Sequence, residues 1–271
     1  MNIQWYPGHM TKAKRAMKED IKLIDLIIEV VDARVPLASR NPDIDELGKG
    51  KARLILLNKS DLSSERYNEA WTSWFKEKGY FVVKINSRSG AGIKQINGVV
   101  QEACKEKIER DRRRGIMNRP VRAMVVGIPN VGKSSFINRM AQSKRAKVED
   151  RPGVTRTKQW VKIGSNMELL DMPGVLWPKF DDQTVAQKLA FTGAINDDVM
   201  DLEALACLLL QRLAVSYPKA LEERYRMTDL QAIQEDGFAM LELLGRKRGM
   251  LISGGEVNTE RCAIMLVDEF R

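Results

Sequence analysis

The run Gly127-Ile128-Pro129-Asn130-Val131-Gly132-Lys133-Ser134-Ser135 carries more structural information than any other in this 271-residue chain. Gly127, Gly132, Lys133 and Ser134 stand at the spacing G-x-x-x-x-G-K-[ST], the phosphate-cradling P-loop. Its surroundings matter as much as its spacing. Ala123-Met124-Val125-Val126 is a short apolar run of strand type, and beyond the loop Phe136, Ile137 and Met140 recur at helical spacing. Strand, glycine loop and helix therefore come in the required order. Backbone N–H groups at a helix N-terminus are ready donors to anions. Lys133 adds a full positive charge for the β and γ oxygens of a nucleotide, and Ser134 can hold Mg²⁺. Asn130, Val131 and Ser135 complete the expected cradle.

Upstream, Arg53 to Leu57 reads as a strand running into Asn58-Lys59-Ser60-Asp61. This is N-K-x-D, whose chemistry suits guanine. The carboxylate of Asp61 can accept from both the ring N–H and the exocyclic amine, an arrangement adenine does not offer. The Lys59 stem would cover the base face, while Asn58 would either read the base edge or brace the P-loop. A third strand, Phe81 to Ile85, ends in Asn86-Ser87-Arg88-Ser89-Gly90, a loop whose backbone could donate to the guanine O6. Leu26 to Val31 is a further strand, ending in Asp32-Ala33-Arg34. Downstream, strands over Gln159 to Ile163 and Met167 to Leu170 lead to Asp171-Met172-Pro173-Gly174, a D-x-x-G at a strand end. Asp171 would support the Mg²⁺ shell without a direct bond, and the Gly174 N–H would sense the γ-phosphate.

Composition narrows the class of partner. Lys+Arg number 45 against 36 Asp+Glu, a formal net charge of +9. Residues 1–180 carry 35 basic and 20 acidic side chains, whereas residues 181–271 carry 10 and 16. The basic excess thus belongs to the nucleotide-binding part and suggests a polyanionic partner. Basic clusters lie on the helix predicted from Thr11, at the end of the helix predicted from Ile93 (Arg110, Arg112, Arg113, Arg114), and across Lys144 to Lys162. Each reads as a solvated face or as a phosphate-contacting one, the solvated reading being preferred for the helix from Thr11. Cys104, Cys207 and Cys262 are far apart and form no C-x-x-C pair, which argues against a disulfide framework or a zinc site. With no apolar run of about 18 residues and no signal-type N-terminus, a cytoplasmic protein without a membrane partner is expected, a monomer when free.

Together the P-loop, Thr155, D-M-P-G, N-K-S-D and the Ser87 loop resemble the five signatures of GTPases, except that N-K-S-D and Ser87 precede the P-loop. That order resembles the circularly permuted GTPases. The opening Trp5-Tyr6-Pro7-Gly8-His9-Met10, Asp32-Ala33-Arg34, the run Asp171 to Pro178 and Ser253-Gly254-Gly255 are similar to the ribosome biogenesis GTPase A family. The resemblance implies an α/β fold, a mostly parallel sheet flanked by helices in residues 1–178, with an all-helical domain in residues 179–271. The spacing of Leu202, Leu205, Ala206, Leu209 and Leu213 agrees with the helical part. It also implies GTP hydrolysis coupled to maturation of the large (50S) ribosomal subunit, with ribosomal RNA as a contact surface, GTP and GDP as ligands, and Thr155 beside Ser134 at the Mg²⁺.

Catalysis is less plainly written. The residue after D-x-x-G, where Ras-like enzymes carry a water-orienting glutamine, is Val175, which offers no polar group. Slow intrinsic turnover is expected. His9 is the one histidine in the chain, and the resemblance implies a catalytic role for it; ordering the N-terminal turn is the alternative. Arg151 and Arg156 flank Thr155 and suit either transition-state charge or RNA. Asn130 occupies the place where potassium-activated GTPases carry an asparagine, so K⁺ is a second candidate ion. Two other functions compete: a GTP-dependent switch acting on a protein partner without RNA contact, and an RNA-binding protein with a vestigial nucleotide site. Intact Asp61, Lys133, Ser134 and Asp171 argue against the last.

Overall fold

In the computed structural model, described over residues 3–143, 158–228 and 230–271, two compact units emerge. One spans Tyr6–Lys179; the other joins residues 3–5 to Phe180–Arg271. The first unit is built on six strands: β1 (Leu26–Asp32), β2 (Ala52–Asn58), β3 (Phe81–Lys84), β4 (Val121–Val126), β5 (Gln159–Ile163) and β6 (Met167–Asp171). They form one sheet in the order β3-β2-β1-β4-β6-β5, parallel throughout except for β5, which runs antiparallel to β6. Near-continuous apolar runs such as Leu54-Ile55-Leu56-Leu57 are what a sheet covered on both faces requires.

The order has a functional consequence. From β1 the chain moves outward through β2 and β3, and from β4 it moves the other way through β6. The reversal falls between β1 and β4, which pair in parallel from Leu26↔Ala123 to Glu29↔Val126. In open α/β sheets ligands bind at such a reversal, beyond the carboxyl ends of the strands. N-K-S-D, the Ser87 loop, the P-loop and D-M-P-G all begin at those ends.

The helices of this unit are α1 (Gly8–Asp20), α2 (Asp43–Leu47), α3 (Glu65–Glu77), α4 (Ile93–Ala103), α5 (Lys105–Arg113) and α6 (Lys133–Ser143). Two differ from the sequence expectation. α1 starts at Gly8, not Thr11, because extended Pro7 presents its carbonyl to the Met10 N–H at 2.9 Å, which puts His9 in the first turn. The single helix expected from Ile93 into the arginine cluster is interrupted at Cys104 (φ −104°, ψ 13°). Its apolar stripe, Ile93, Ile96 and Val100, ends with buried Cys104, and α5 beyond it buries only Asp111, held by Lys107 at 3.1 Å.

The second unit comprises α7 (Gln183–Phe191), α8 (Leu202–Ser216), α9 (Pro218–Tyr225), α10 (Gly237–Lys247) and α11 (Thr259–Phe270). Leu205, Ala206, Leu209 and Leu210 of α8 are buried, as are Met240, Leu241 and Leu244 of α10 and Ala263, Leu266 and Val267 of α11. Its acidic balance has a local cause. Asp182, Asp201 and Asp236 each accept a backbone N–H at a helix start, so carboxylates serve as N-caps. Where the sequence reading drew one domain over 1–178, residues 3–5 instead belong with this unit. The Ile3 N–H donates to Gln183 Oε1 at 2.8 Å, and Gln4 exchanges hydrogen bonds with the Phe180 backbone. Among the described residues no helix is long and apolar enough to cross a membrane.

One core feature was not expected from the sequence. Glu29, in the middle of β1, is buried, and its Oε2 accepts from Arg40 and Arg53, both at 3.0 Å. Asp45 Oδ1 joins the same two guanidiniums, which lie over the Tyr80 ring at 5.0 and 5.2 Å. Removing one side of a buried ion pair strands the other. Glu29→Ala is therefore expected to cost about 3–5 kcal/mol, and Asp45→Ala, at a half-exposed carboxylate, no more than about 1 kcal/mol. Urea denaturation of the two variants checks the contrast, and equal losses would contradict it.

Candidate functional site

The base-reading and phosphate-binding loops meet through one side chain. Asn58, at the end of β2, is buried. Its Nδ2 donates to the Val131 carbonyl of the P-loop at 2.8 Å, and its Oδ1 accepts from the Ser87 N–H at 3.1 Å and the Ser87 hydroxyl at 2.8 Å. Of its two possible roles, bracing the P-loop is the one this geometry realises. The Ser87 N–H and hydroxyl both point to Asn58. Gly132 has to be glycine here: its φ is +99°, and a Cβ would collide with Asn58 Nδ2.

Lys59 adopts the left-handed conformation (φ 58°), and its ammonium lies 3.2 Å from Asp32 Oδ2. Burial drives the Lys59 pKa down, with Asp32 only partly offsetting it. Burial alone would raise Asp32, but the Arg34 hydrogen bonds and charge, helped by Lys59, hold its carboxyl below the usual range. The Ser60 hydroxyl and N–H both donate to the Ile85 carbonyl, at 3.0 and 3.2 Å, fastening N-K-S-D to the end of β3. Asp61 is exposed. Asn86 Oδ1 accepts from the Arg88 and Ser89 N–H groups at 2.9 and 3.0 Å, which shapes the Ser87 loop. Arg139 of α6 donates to the carbonyls of Ser87 and Arg88, so the P-loop helix holds that loop from below.

On the phosphate side Lys133 is buried and donates to the carbonyls of Gly127 and Ile128 at 3.1 and 2.8 Å. Burial pushes its pKa down to about 8, although the negative charge of nearby Asp171 works against the shift. Asn130 is exposed, in the left-handed region at φ 57°. Ser134 and Ser135 open α6, whose N-terminal N–H groups face the loop. D-M-P-G lies directly against it. A Cβ on Gly174 would come within 2.8 Å of the Pro129 N and Cα and 3.1 Å of Lys133 Nζ. The Val175 N–H donates to the Gly127 carbonyl at 3.2 Å. A hydroxyl at Ser134 and a carboxylate at Asp171 are hard oxygen donors, the set Mg²⁺ takes when nucleotide phosphates complete its shell. Thr155, Arg151 and Arg156 lie outside the described residues. His9 is exposed on α1, while its neighbour Met10 is buried and accepts the Leu176 N–H on Sδ at 3.4 Å.

Sequence reasoning missed Asp32 as the partner of Lys59, Arg139 as the support of the Ser87 loop, and Asn41, which donates to the Val175 carbonyl at 3.0 Å. Arg139 and Asn41 lie outside a recognised motif, and Asp32 was read only as part of the Asp32-Ala33-Arg34 run. The polar residues of Ser39-Arg40-Asn41-Pro42, just after an apolar strand, were the available signal.

A parallel sheet that gathers these loops at its order reversal, with N-K-x-D ahead of the P-loop in the chain, defines a circularly permuted P-loop GTPase. The family model described as 50S ribosome-binding GTPase matches residues 122–234. Ribosome biogenesis GTPase A of Bacillus cereus is 46% identical over 271 residues, covering all of this chain and 90% of that protein. Among solved structures, GDP-bound TM YlqF aligns with a TM-score of 0.66 at 25% identity, over 94% of this chain and 93% of that one. GNP-bound YlqF from T. maritima aligns at 0.62 and 26%, over 96% and 93%. The chain belongs to the ribosome biogenesis GTPase A family, and it is a GTPase.

The Lys133 environment makes nucleotide binding sensitive to pH. Below about pH 8 the free protein already carries the ammonium, and binding needs no proton. Above it the free amine is neutral, the phosphates require the charged form, and binding must take up a proton. Affinity for GTP is expected to hold from pH 7 to 8 and then fall by up to about tenfold per pH unit. Titration calorimetry in buffers of different ionisation heat measures both the affinity and the proton uptake. A flat profile to pH 9.5 would contradict the assignment.

Proposed function

We propose that this GTPase is an assembly factor for the large (50S) ribosomal subunit, working in the cytoplasm on precursor particles, contacting ribosomal RNA and stimulated by the particle. The whole-chain likeness to relatives named ribosome biogenesis GTPase A carries the reading. Charge supports it: Arg112, Arg113 and Arg114 at the end of α5 are exposed, and Arg112, Lys107 and Arg119 line a groove of about 600 Å³ with Met117 and Asn118. Phosphate contacts release counterions, so such binding weakens steeply with salt. Turnover by the isolated protein should be slow and should rise by at least about tenfold on purified large subunits or their precursors, with retention lost as salt rises. Absence of both effects would favour a switch acting on a protein partner.

In this reading the P-loop, Asn58, Lys59, Ser60, Asp61, Asn86 and Ser87 hold the nucleotide. Asp61 accepts from guanine, Lys133 neutralises the β and γ oxygens, and Gly174 meets the γ-phosphate. Ser134 and Thr155 would hold Mg²⁺, with Asp171 behind it; the ion would withdraw charge from the phosphates. Asn130 would direct a K⁺ to the same phosphates.

His9 is the catalytic group in this scheme. The buried Met10 anchor fixes its turn against Leu176, one residue beyond the apolar Val175 that leaves water unoriented. His9→Ala should leave GTP affinity within about twofold and lower particle-stimulated turnover by about 10²-fold or more. Retained stimulation would remove the histidine from catalysis. Turnover in KCl should exceed that in NaCl, and equal rates would dispose of the K⁺ role.

A further inference from the structure

The loop that follows β1 touches both halves of the nucleotide site. At its start Asp32 holds Lys59 of N-K-S-D. At its end Asn41, only 2% exposed, reaches Val175 across 134 positions of sequence. Between them Ser39, fully buried, accepts the Asp32 N–H on its hydroxyl at 2.9 Å and donates to the Pro36 carbonyl at 3.1 Å. The loop is thereby tied to its own strand end.

Both polar atoms of the Asn41 side chain are used. Nδ2 donates to the Val175 carbonyl at 3.0 Å, and Oδ1 accepts the Asp43 N–H at 3.0 Å. Pro42 follows and biases Asn41 toward extended backbone, so the side chain is aimed by covalent geometry as well as by hydrogen bonds. Val175 is held on both sides: its N–H binds the Gly127 carbonyl at 3.2 Å and its carbonyl binds Asn41. Gly174 lies immediately before this doubly held residue, against Pro129 and Lys133.

We propose that Asn41 is a positioning residue for GTP hydrolysis, fixing the Val175 carbonyl so that the peptide after D-M-P-G stays in register with the P-loop. It touches neither base nor phosphate. The inference rests on the reading that Gly174 meets the γ-phosphate. Without the Asn41 donor, the Val175 carbonyl is a buried acceptor without that partner, and the Val175–Leu176 peptide, then held through the Leu176 N–H on Met10 Sδ, gains freedom to rotate and loosens the backbone leading out of Gly174. GDP, which lacks the γ-phosphate, makes no demand on the Gly174 N–H. Loss of Asn41 should therefore discriminate between the two nucleotides, which loss of a merely structural residue would not.

The test uses the full chain with Asn41→Asp, which keeps shape and the Asp43 acceptor but loses the donor, and Asn41→Ala, which adds no charge. Fluorescent GDP and non-hydrolysable GTP analogue are titrated into each, and single-turnover hydrolysis is measured on large subunits. Affinity for GDP should stay within about twofold, while analogue affinity and kcat each fall by about five- to tenfold, the scale of one net hydrogen bond. GDP affinity doubles as the check on folding, and either variant that retains it suffices. Equal losses for both nucleotides, or no change in either, would overturn the proposal. Gly174→Ala is the separate control. If it leaves the ratio of analogue to GDP affinity unchanged, the γ-phosphate reading has failed and the positioning role falls with it. If it lowers that ratio while both Asn41 variants keep it, only the positioning role is lost.

Discussion

A single buried amide holds the nucleotide site together. Asn58 donates to the P-loop and accepts twice from Ser87, so three loops from three strand ends share one set of hydrogen bonds. A buried side-chain amide with unsatisfied atoms is costly, which makes the arrangement nearly all-or-none. The P-loop cannot shift without stripping Asn58 of an acceptor, and the Ser87 loop cannot shift without stripping it of two donors. Gly132 leaves the space in which the amide reaches Val131.

The second level of organisation is charge held out of water. Lys133 is buried against two carbonyls with Asp171 as its nearest compensating charge, and Lys59 is drawn to an Asp32 already engaged by Arg34. These cations are kept underneutralised. A polyphosphate in the P-loop would supply negative charge to Lys133, and part of the desolvation already incurred there in folding would be recovered as binding energy. Glu29 shows the opposite design. Its Oε2 is shared by two arginines that Asp45 also engages, so opposite charges from this chain already face each other beneath aromatic rings.

How much of this was legible in the sequence depended on distance along the chain. The P-loop, N-K-S-D and D-M-P-G were readable because each needs a few adjacent residues of set size and charge at a strand end. The strands were readable because buried parallel strands are continuous apolar runs. Asn41 and Val175, Asp32 and Lys59, or Arg139 and Ser87 become partners only once the sheet order is known, and no local pattern encodes that. The interruption at Cys104 was hidden for a related reason, since the apolar stripe of α4 runs up to a charged segment that is itself a good helix former. Grouping residues 3–5 with the helical unit turns on hydrogen bonds to Phe180 and Gln183 that no composition shift announces.

The strand order also governs when the site can exist during synthesis. β1, β2 and β3 pair among neighbours in the chain, so this half of the sheet, with its guanine-facing loop, can form as soon as it has left the exit tunnel. The phosphate half depends on β4 adding to β1 and β6 adding to β4, pairings that must close long loops. An unpermuted order would translate the phosphate cradle first and hold a nucleotide tail before its base could be inspected. Here the base-reading motif is synthesised first, but its Asn58 gains its P-loop acceptor only once β4 and the loop after it have been made.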